Sequence, residues 1–193
     1  MLLQETIERL TEWTEKNICS EIELLDPDEN NMVRDYEYKR VHPIAIPLFI
    51  PSKDLMPPQL QSKLPAVCLQ FDGGQDDLKE GVQSLKFRMS FCVYRPGLYL
   101  EEENPDGTKE VRCTRNSDGW KDAWLFMEIA KHRLENNMYI EGIRIDKNVP
   151  MKYDNFKLDD AIVLNYPEWY TWLSFSVNCG ISKPARKNYN QFL

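Results

Sequence analysis

Long hydrophobic runs and a secretory signal are both missing from this 193-residue sequence. No apolar run approaches the roughly 20 residues that a membrane span requires. The first ten residues, MLLQETIERL, place Glu5 and Glu8 where a signal peptide carries an uncharged apolar segment. We therefore expect no membrane contact and no secretion by a signal peptide.

Basic clusters are missing as well. The chain has 24 Lys and Arg residues against 31 Asp and Glu residues, which gives a formal net charge of −7. It also has no run of five or six consecutive basic residues. Because contacts between basic side chains and phosphates supply most of the affinity for nucleic acids, this balance argues against tight binding of DNA or RNA.

The patterns of common catalytic and cofactor sites are also absent. The five widely spaced cysteines contain no C-x-x-C pair, and His42 and His132 form no H-E-x-x-H motif. Gly73 and Gly74 lack the spacing of a phosphate-binding loop, and no G-x-S-x-G sequence is present. We therefore expect a protein that is not an enzyme, with no catalytic residues, no metal and no cofactor.

One acidic cluster keeps an alternative open. Asp72, Asp76 and Asp77, with Asp159 and Asp160, supply carboxylates, which are the ligands that hard divalent cations prefer. The spacing of the first three lacks the alternating ligands and the closing Glu of a calcium loop, so a solvated turn is the favoured interpretation. The alternative is a small metal-dependent enzyme.

The patterns that are present are those of one globular domain. The composition, 42% hydrophobic and 28% charged, is ordinary for a folded protein, and the length favours a single domain. Apolar residues at helical spacing predict amphipathic helices over about residues 3–18 and 120–135.

Several strands are predicted by apolar runs and by period-two alternation. Residues 64–71 form an apolar run typical of a strand covered on both faces. Residues 85–93 and 167–181 alternate, so each predicts one core face and one outward face. Residues 98–113 contain an Asn-Pro-Asp-Gly turn between two polar strands and predict an exposed hairpin.

The remaining segments carry weaker patterns. Three prolines place residues 42–51 at a sheet edge or in a strapping loop. The composition of residues 72–77 predicts a loop, and residues 149–160 predict an irregular polar segment. Residues 138–145 predict one strand with Gly142 as a bulge.

Aromatic residues are concentrated near the start of the last strand. Trp169, Tyr170 and Trp172 fall within four residues, and alternation along a strand prevents all three from facing one core. One interpretation is a core residue on one face and an exposed anchor on the other. The second interpretation is a subunit interface formed by the outward side chains, with Tyr94 and Trp172 as candidates.

The order of these parts resembles the tail terminator proteins of tailed bacteriophages and of phage-tail-like bacteriocins. That order is an amphipathic helix, an apolar strand entered by Leu64-Pro65, a long alternating strand, a long helix, a strand and a final aromatic-rich strand. The resemblance covers roughly residues 3–181 and includes the patches L-P-A-V-C-L-Q-F, F-R-M-S-F-C-V-Y-R-P and W-K-D-A-W-L-F-M-E-I. The chain is longer than is usual in that family, so residues 42–63 and 98–115 are interpreted as insertions.

The resemblance implies an α+β fold, with a mixed, mostly antiparallel sheet, two main helices packed on one face and an extended hairpin insertion. Residues 1–181 would form a single domain, and residues 182–193 a C-terminal tail or arm. The implied function is structural: a homohexameric ring caps the tail tube, ends its growth and provides the docking surface for the head connector or collar.

The implied partners follow from that function. They are other copies of the chain, the tail tube protein, a sheath and a head-tail connector or collar protein. DNA would pass through the ring without specific binding. The protein would belong to a virion or a phage-tail-like particle that is assembled in the cytoplasm of the bacterial host.

In such a ring, outward residues become candidates for contacts between subunits or with a partner. The candidates are Tyr94, Arg95, Tyr170, Trp172, Asp106 in the hairpin turn, and Lys183, Arg186 and Lys187 in the basic tail. The alternative to an interface is that the hairpin and the tail are solvent-exposed and contact no partner.

Alternatives from the same class and from other classes stay open. Another tail, neck or baseplate component has a similar small sheet-and-helix fold. A monomeric binding or immunity module predicts a single subunit at micromolar concentration. The sequence also leaves open whether the tail is contractile, whether the particle has a head, and whether the ring forms without the tube.

Overall fold

The structure is a computed structural model that describes residues 1–27, 38–49, 64–96, 98–114, 118–158, 161–162 and 166–181. The helices are α1 (Leu3–Asn17), α2 (Gly119–Asn136) and a short 3-10 helix (Cys19–Glu21). The strands are β1 (Leu24–Pro27), β2 (Tyr38–Val41), β3 (Ile44–Pro47), β4 (Ala66–Asp77), β5 (Val82–Tyr94), β6 (Leu98–Glu103), β7 (Lys109–Thr114), β8 (Tyr139–Ile140), β9 (Ile143–Ile145), β10 (Lys152–Asn155), β11 (Lys157–Leu158), β12 (Ala161–Ile162) and β13 (Glu168–Gly180).

Seven strands form the main sheet. Its order is β3-β4-β5-β13-β9-β8, and β10 pairs with β13 beside β9. β5 and β13 are antiparallel along their whole length, from Val82 opposite Gly180 to Tyr94 opposite Glu168. Only the β3–β4 pair of this sheet is parallel. The β1–β2, β6–β7 and β11–β12 pairs form separate two-stranded sheets.

Alternation along β5 and β13 separates the two faces of the main sheet. Phe87 and Phe175 are paired across the strands and buried, and their ring centroids are 6.1 Å apart. Met89 and Leu173 are the next pair on this inner face and are also buried. The core face that the sequence predicts is therefore confirmed. Burying each such side chain contributes about 1.5–3 kcal/mol to stability.

Both helices pack on the inner face. Leu10 of α1 and Phe126 of α2 are fully buried in the same hydrophobic core as β5 and β13. The ring of Phe126 meets the ring of Phe91 edge to face, with centroids 4.9 Å apart. The α+β fold that the resemblance implies is confirmed. No helix among the described residues is long and apolar enough to span a membrane.

The prediction of a loop over residues 72–77 was wrong. β4 continues to Asp77, and its register against β5 shifts between Phe71 and Gly73. Gly73 has a φ of 123°, a backbone conformation that residues with a Cβ rarely adopt. The glycine therefore allows a bulge inside a continuous strand.

Residues 138–145 form a hairpin rather than one bulged strand. β8 and β9 pair with each other around Glu141 and Gly142, whose φ values are 45° and 86°. Two consecutive positive φ values reverse the chain tightly between two strands.

Residues 152–155 were wrongly predicted to be irregular. They form β10, whose position is set by four antiparallel pairs with β13, from Lys152 opposite Ser174 to Asn155 opposite Thr171. The expectation of an edge position for residues 42–51 is confirmed in part by β3, which lies at one edge of the main sheet. Residues 50–51 lie outside the described ranges.

Gly119, at the start of α2, tests how tightly the helix packs on the sheet. A Cβ there would lie 2.2 Å from the Trp169 ring and 2.8 Å from Cβ of Arg95. We expect Gly119→Ala to lower the free energy of unfolding in urea by about 1–3 kcal/mol, because the indole must move. Gly180→Ala is the matched control, since a Cβ at that position meets nothing within 4 Å. Equal stability of both variants would contradict the packing.

Candidate functional site

A groove crosses the face of the main sheet opposite the two helices, here called the outer face. The groove has a volume of about 480 Å³. Cys68 of β4, Ser90 of β5 and Trp172 of β13 contribute to its floor, because they occupy outward positions of adjacent strands. A cavity of this size is typical of binding sites.

Aromatic side chains give the groove its apolar character. Phe49 and Phe156 line it, and they are 66% and 51% exposed. The ring centroids of Phe156 and Tyr170 are 6.4 Å apart. The indole Nε1 of Trp172 donates a hydrogen bond of 3.0 Å to the carbonyl of Asn155, which links β13 to the end of β10. The groove thus combines exposed rings with a fixed indole.

Arg88 supplies the main cationic group of the groove. Its Nη2 lies 2.9 Å from Oδ2 of Asp72, and its guanidinium carbon lies 5.1 Å from the centroid of the Trp172 ring. Its Nε is buried and has no hydrogen-bond partner within the described part of the chain. The ion pair and the cation–π contact hold the guanidinium in one orientation.

A second ion pair lies where β10 ends. Nζ of Lys157 is 2.5 Å from Oδ2 of Asp154, and both side chains are partly exposed. The hydrogen bond from Lys157, together with one from the amide of Asn155, lowers the pKa of Asp154 below its usual range. The carboxylate is therefore ionised at neutral pH, and the pair adds a polar border to the aromatic surface.

Two titratable groups that line the groove, Cys68 and Tyr170, are neutral at pH 7. Burial raises the pKa of the Cys68 thiol to about 11. Burial, assisted by neighbouring Cys92 and Glu168, also raises the pKa of Tyr170, whose hydroxyl donates a hydrogen bond to Glu168. The Cys68 thiol and the Tyr170 phenol are therefore both protonated at neutral pH.

Two of the candidate interface residues lie together in this groove. Tyr170 and Trp172 both line it, as outward residues of β13. Tyr94 is half-buried at the end of β5, opposite Glu168. The basic candidates Lys183, Arg186 and Lys187 lie outside the described residues.

Arg95, another interface candidate, is buried within the fold, because only 7% of its surface is exposed. Its Nη1 lies 3.1 Å from Oδ2 of Asp122 in α2, and its guanidinium carbon lies 4.5 Å from the centroid of the Tyr38 ring. Burial raises the pKa of Asp122, and the positive charge of Arg95 opposes that rise. Arg95 thus joins β5, α2 and β2 and offers a partner little surface.

Asp106 lies at the exposed tip of the β6–β7 hairpin. Its carboxylate accepts hydrogen bonds from the amide and the hydroxyl of Thr108, at 2.9 and 2.6 Å. These bonds lower the pKa of Asp106. The backbone amide of Asn104 also donates a hydrogen bond of 2.8 Å to the carbonyl of Thr108, which closes the turn.

Most residues that line the groove were not among the sequence candidates, and these include Phe49, Arg88, Asp154 and Phe156. Alternation along β5 does indicate that Arg88 faces outward. Asp154 and Phe156 lie in the segment predicted to be irregular, so no pattern placed them beside Trp172. Phe49 follows β3. The three prolines of that segment predicted either a sheet edge or a strapping loop, so the position of Phe49 could not be predicted.

Asp72, Asp76 and Asp77, named for the metal alternative, each have their own protein contacts, and Asp159 and Asp160 lie outside the described residues. Asp72 pairs with Arg88, and Asp76 accepts a hydrogen bond from the Gln83 amide side chain at 3.0 Å. Asp77 accepts bonds from the amides of Lys79 and Glu80, both at 3.0 Å. Within the residues that the structure describes, no group of three His, Cys, Asp or Glu side chains is arranged to hold a metal ion.

Comparison with known proteins gives no family for the chain. No protein-family model matches the sequence, and no curated protein matches it.

Arg88 should contribute measurably to the stability of the groove. We expect Arg88→Ala to lower the free energy of unfolding by about 1–2 kcal/mol, because the aliphatic stem leaves the indole and Asp72 loses its partner. Lys86→Ala, an exposed position two residues earlier on the same strand, should change it by less than about 0.5 kcal/mol. Urea unfolding of both variants measures the difference, and equal effects would show that the Arg88 contacts are not formed.

Proposed function

We propose that this chain is a tail terminator subunit of a bacteriophage or of a phage-tail-like particle. Six copies form a ring that caps the end of the tail tube, ends its growth and provides the docking surface for the head connector or collar. The observation that carries the proposal is the division of the sheet into two unlike faces. The helices cover the inner face, and the outer face presents an open aromatic groove suited to assembly.

The fold supports the proposal through its order of elements. The chain runs from α1 through β4 and β5 to the β6–β7 hairpin, and then through α2 to β13. This is the order on which the resemblance to tail terminators rests. The hairpin is inserted between the central strand β5 and helix α2, so it adds an assembly element without interrupting the core.

The charge of the chain supports passage of DNA without binding. A ring of six copies, each with a net charge of −7, carries a total of about −42. A negative lumen repels the phosphate backbone and lets DNA slide. Cys19, Cys68, Cys92 and Cys179 are buried as thiols rather than disulfides, in agreement with assembly in the reducing cytoplasm of a bacterial host.

A tube-capping experiment tests the proposal. Tail tube protein from the same particle is polymerised with and without this chain, and tube lengths and ends are compared by negative-stain electron microscopy. We expect the chain to shorten the tubes and to add a six-fold density at one end. Tubes of unchanged length with bare ends would contradict the proposed function, and a strict monomer in that mixture would favour the binding-module alternative.

A further inference from the structure

We propose that the groove on the outer face of one copy holds the β6–β7 hairpin tip, residues 103–110, of a second copy. This inference rests on the proposed ring and identifies the contact that joins its subunits. The aromatic groove of one copy and the acidic hairpin of the next would form the two sides of one head-to-tail interface.

The groove has the surface of a docking site. Phe49 and Phe156 are large apolar side chains that are more than half exposed, and both line the same cavity as Trp172. Exposed apolar surface grouped in one concavity marks an interaction site in a soluble protein. At 480 Å³, the cavity is large enough for a turn of polypeptide.

The hairpin has the form of an inserted element. β6 and β7 pair with each other in a two-stranded sheet of their own, apart from the main sheet. The hydrogen bonds around Asp106 and Thr108 fix the shape of the turn before any contact is made. Pre-ordering of this kind reduces the entropy lost on binding. Pro105, exposed beside Asp106, is an apolar group that the tip offers to the aromatic rings.

Charge selects the second copy as the occupant. Residues 101–110 contain five acidic side chains and one lysine, and the described glutamates Glu103 and Glu110 are exposed. On the outer face, the carboxylates of Asp72 and Asp154 are already paired with Arg88 and Lys157. The positive charges of Arg88 and Lys157 are therefore already neutralised by these carboxylates. An acidic tip requires other basic side chains on the outer face.

Two lysines supply that charge. Lys152 of β10 lies opposite Ser174, which pairs with Arg88, and Lys86 occupies the next outward position along β5 from Arg88. Both are exposed, and neither forms an ion pair with another described residue. The outer face thus carries unpaired positive charge on a chain whose net charge is −7. Complementary charges of this kind set the orientation and the partner of an interface.

The contact joins two different surfaces. Each copy therefore inserts its hairpin into one neighbour and binds the hairpin of the other neighbour in its groove. A heterologous contact repeats from copy to copy and closes into a ring when the rotation allows it. The proposed interface therefore generates the ring geometry that a tail terminator requires.

Charge exchange between the two surfaces tests the inference. The face variant is Lys86→Glu with Lys152→Glu, and the hairpin variant is Glu103→Lys with Glu110→Lys. Self-association of each is measured by sedimentation over a concentration series. We expect each variant alone to associate at least about tenfold more weakly than the parent, because like charges then meet. Mixing the two variants should restore association, since each acidic surface then meets a basic one.

Controls separate this contact from general effects. Lys79→Glu with Lys147→Glu places the same charge change at exposed positions away from the groove and should leave association unchanged. Glu110→Lys alone, at an exposed position of β7, tests the hairpin if the double variant unfolds. Thermal unfolding of every variant confirms that it is folded.

The association measurements separate the possible outcomes. Weak association of each variant with recovery in the mixture supports the inference. Unchanged association, absence of recovery in the mixture, or a parent chain that stays monomeric at every concentration would overturn it. If the parent still caps tubes in that case, the proposed function stands and only the interface is wrong; if it neither associates nor caps tubes, both proposals fail.

Discussion

The antiparallel register between β5 and β13 is the constraint on which the rest of the structure depends. It aligns the two alternating strands so that Phe87 lies opposite Phe175 on the inner face and Ser90 lies opposite Trp172 on the outer face. A slip of one residue would exchange the faces of one strand and bury its polar side chains in the core. Both the helical core and the aromatic groove therefore depend on one register.

The two faces of the sheet differ in chemistry, so the core can be closed on one face while the other face stays open for the assembly that we propose. The inner face is closed by α1 and α2 around a core that includes Phe91 and Phe126. The outer face does not pack against the two helices. Aromatic rings and ion pairs are therefore exposed on it. The segment between β5 and β13 begins with the hairpin and α2. Arg95, directly after β5, anchors α2 there through its ion pair with Asp122. Insertion of the hairpin at this point leaves the central pair intact.

The elements that could be predicted from the sequence are those that bury one face. Leu85 to Val93 alternates strictly, and helix α2 has a broad apolar stripe, so their positions follow from hydrophobic pattern alone. β10 could not be predicted, because Lys152 to Asn155 is polar and its place is set by backbone pairing with β13. Pairing with β5 likewise extends β4 through Gly73 and Gly74, where composition indicates a loop. For this reason Tyr170 and Trp172 were candidates from the sequence, but no pattern indicated that Asp154 and Phe156 lie beside them.

The most direct test of the central claim, that the outer face of the sheet is the assembly surface, is a cryo-electron microscopy map of a capped tube end at side-chain resolution. The account predicts a six-fold ring in which density for the hairpin tip of one copy lies between Phe49 and Phe156 of the next. A ring whose copies meet through α1 and α2 while the groove stays open to solvent would contradict it.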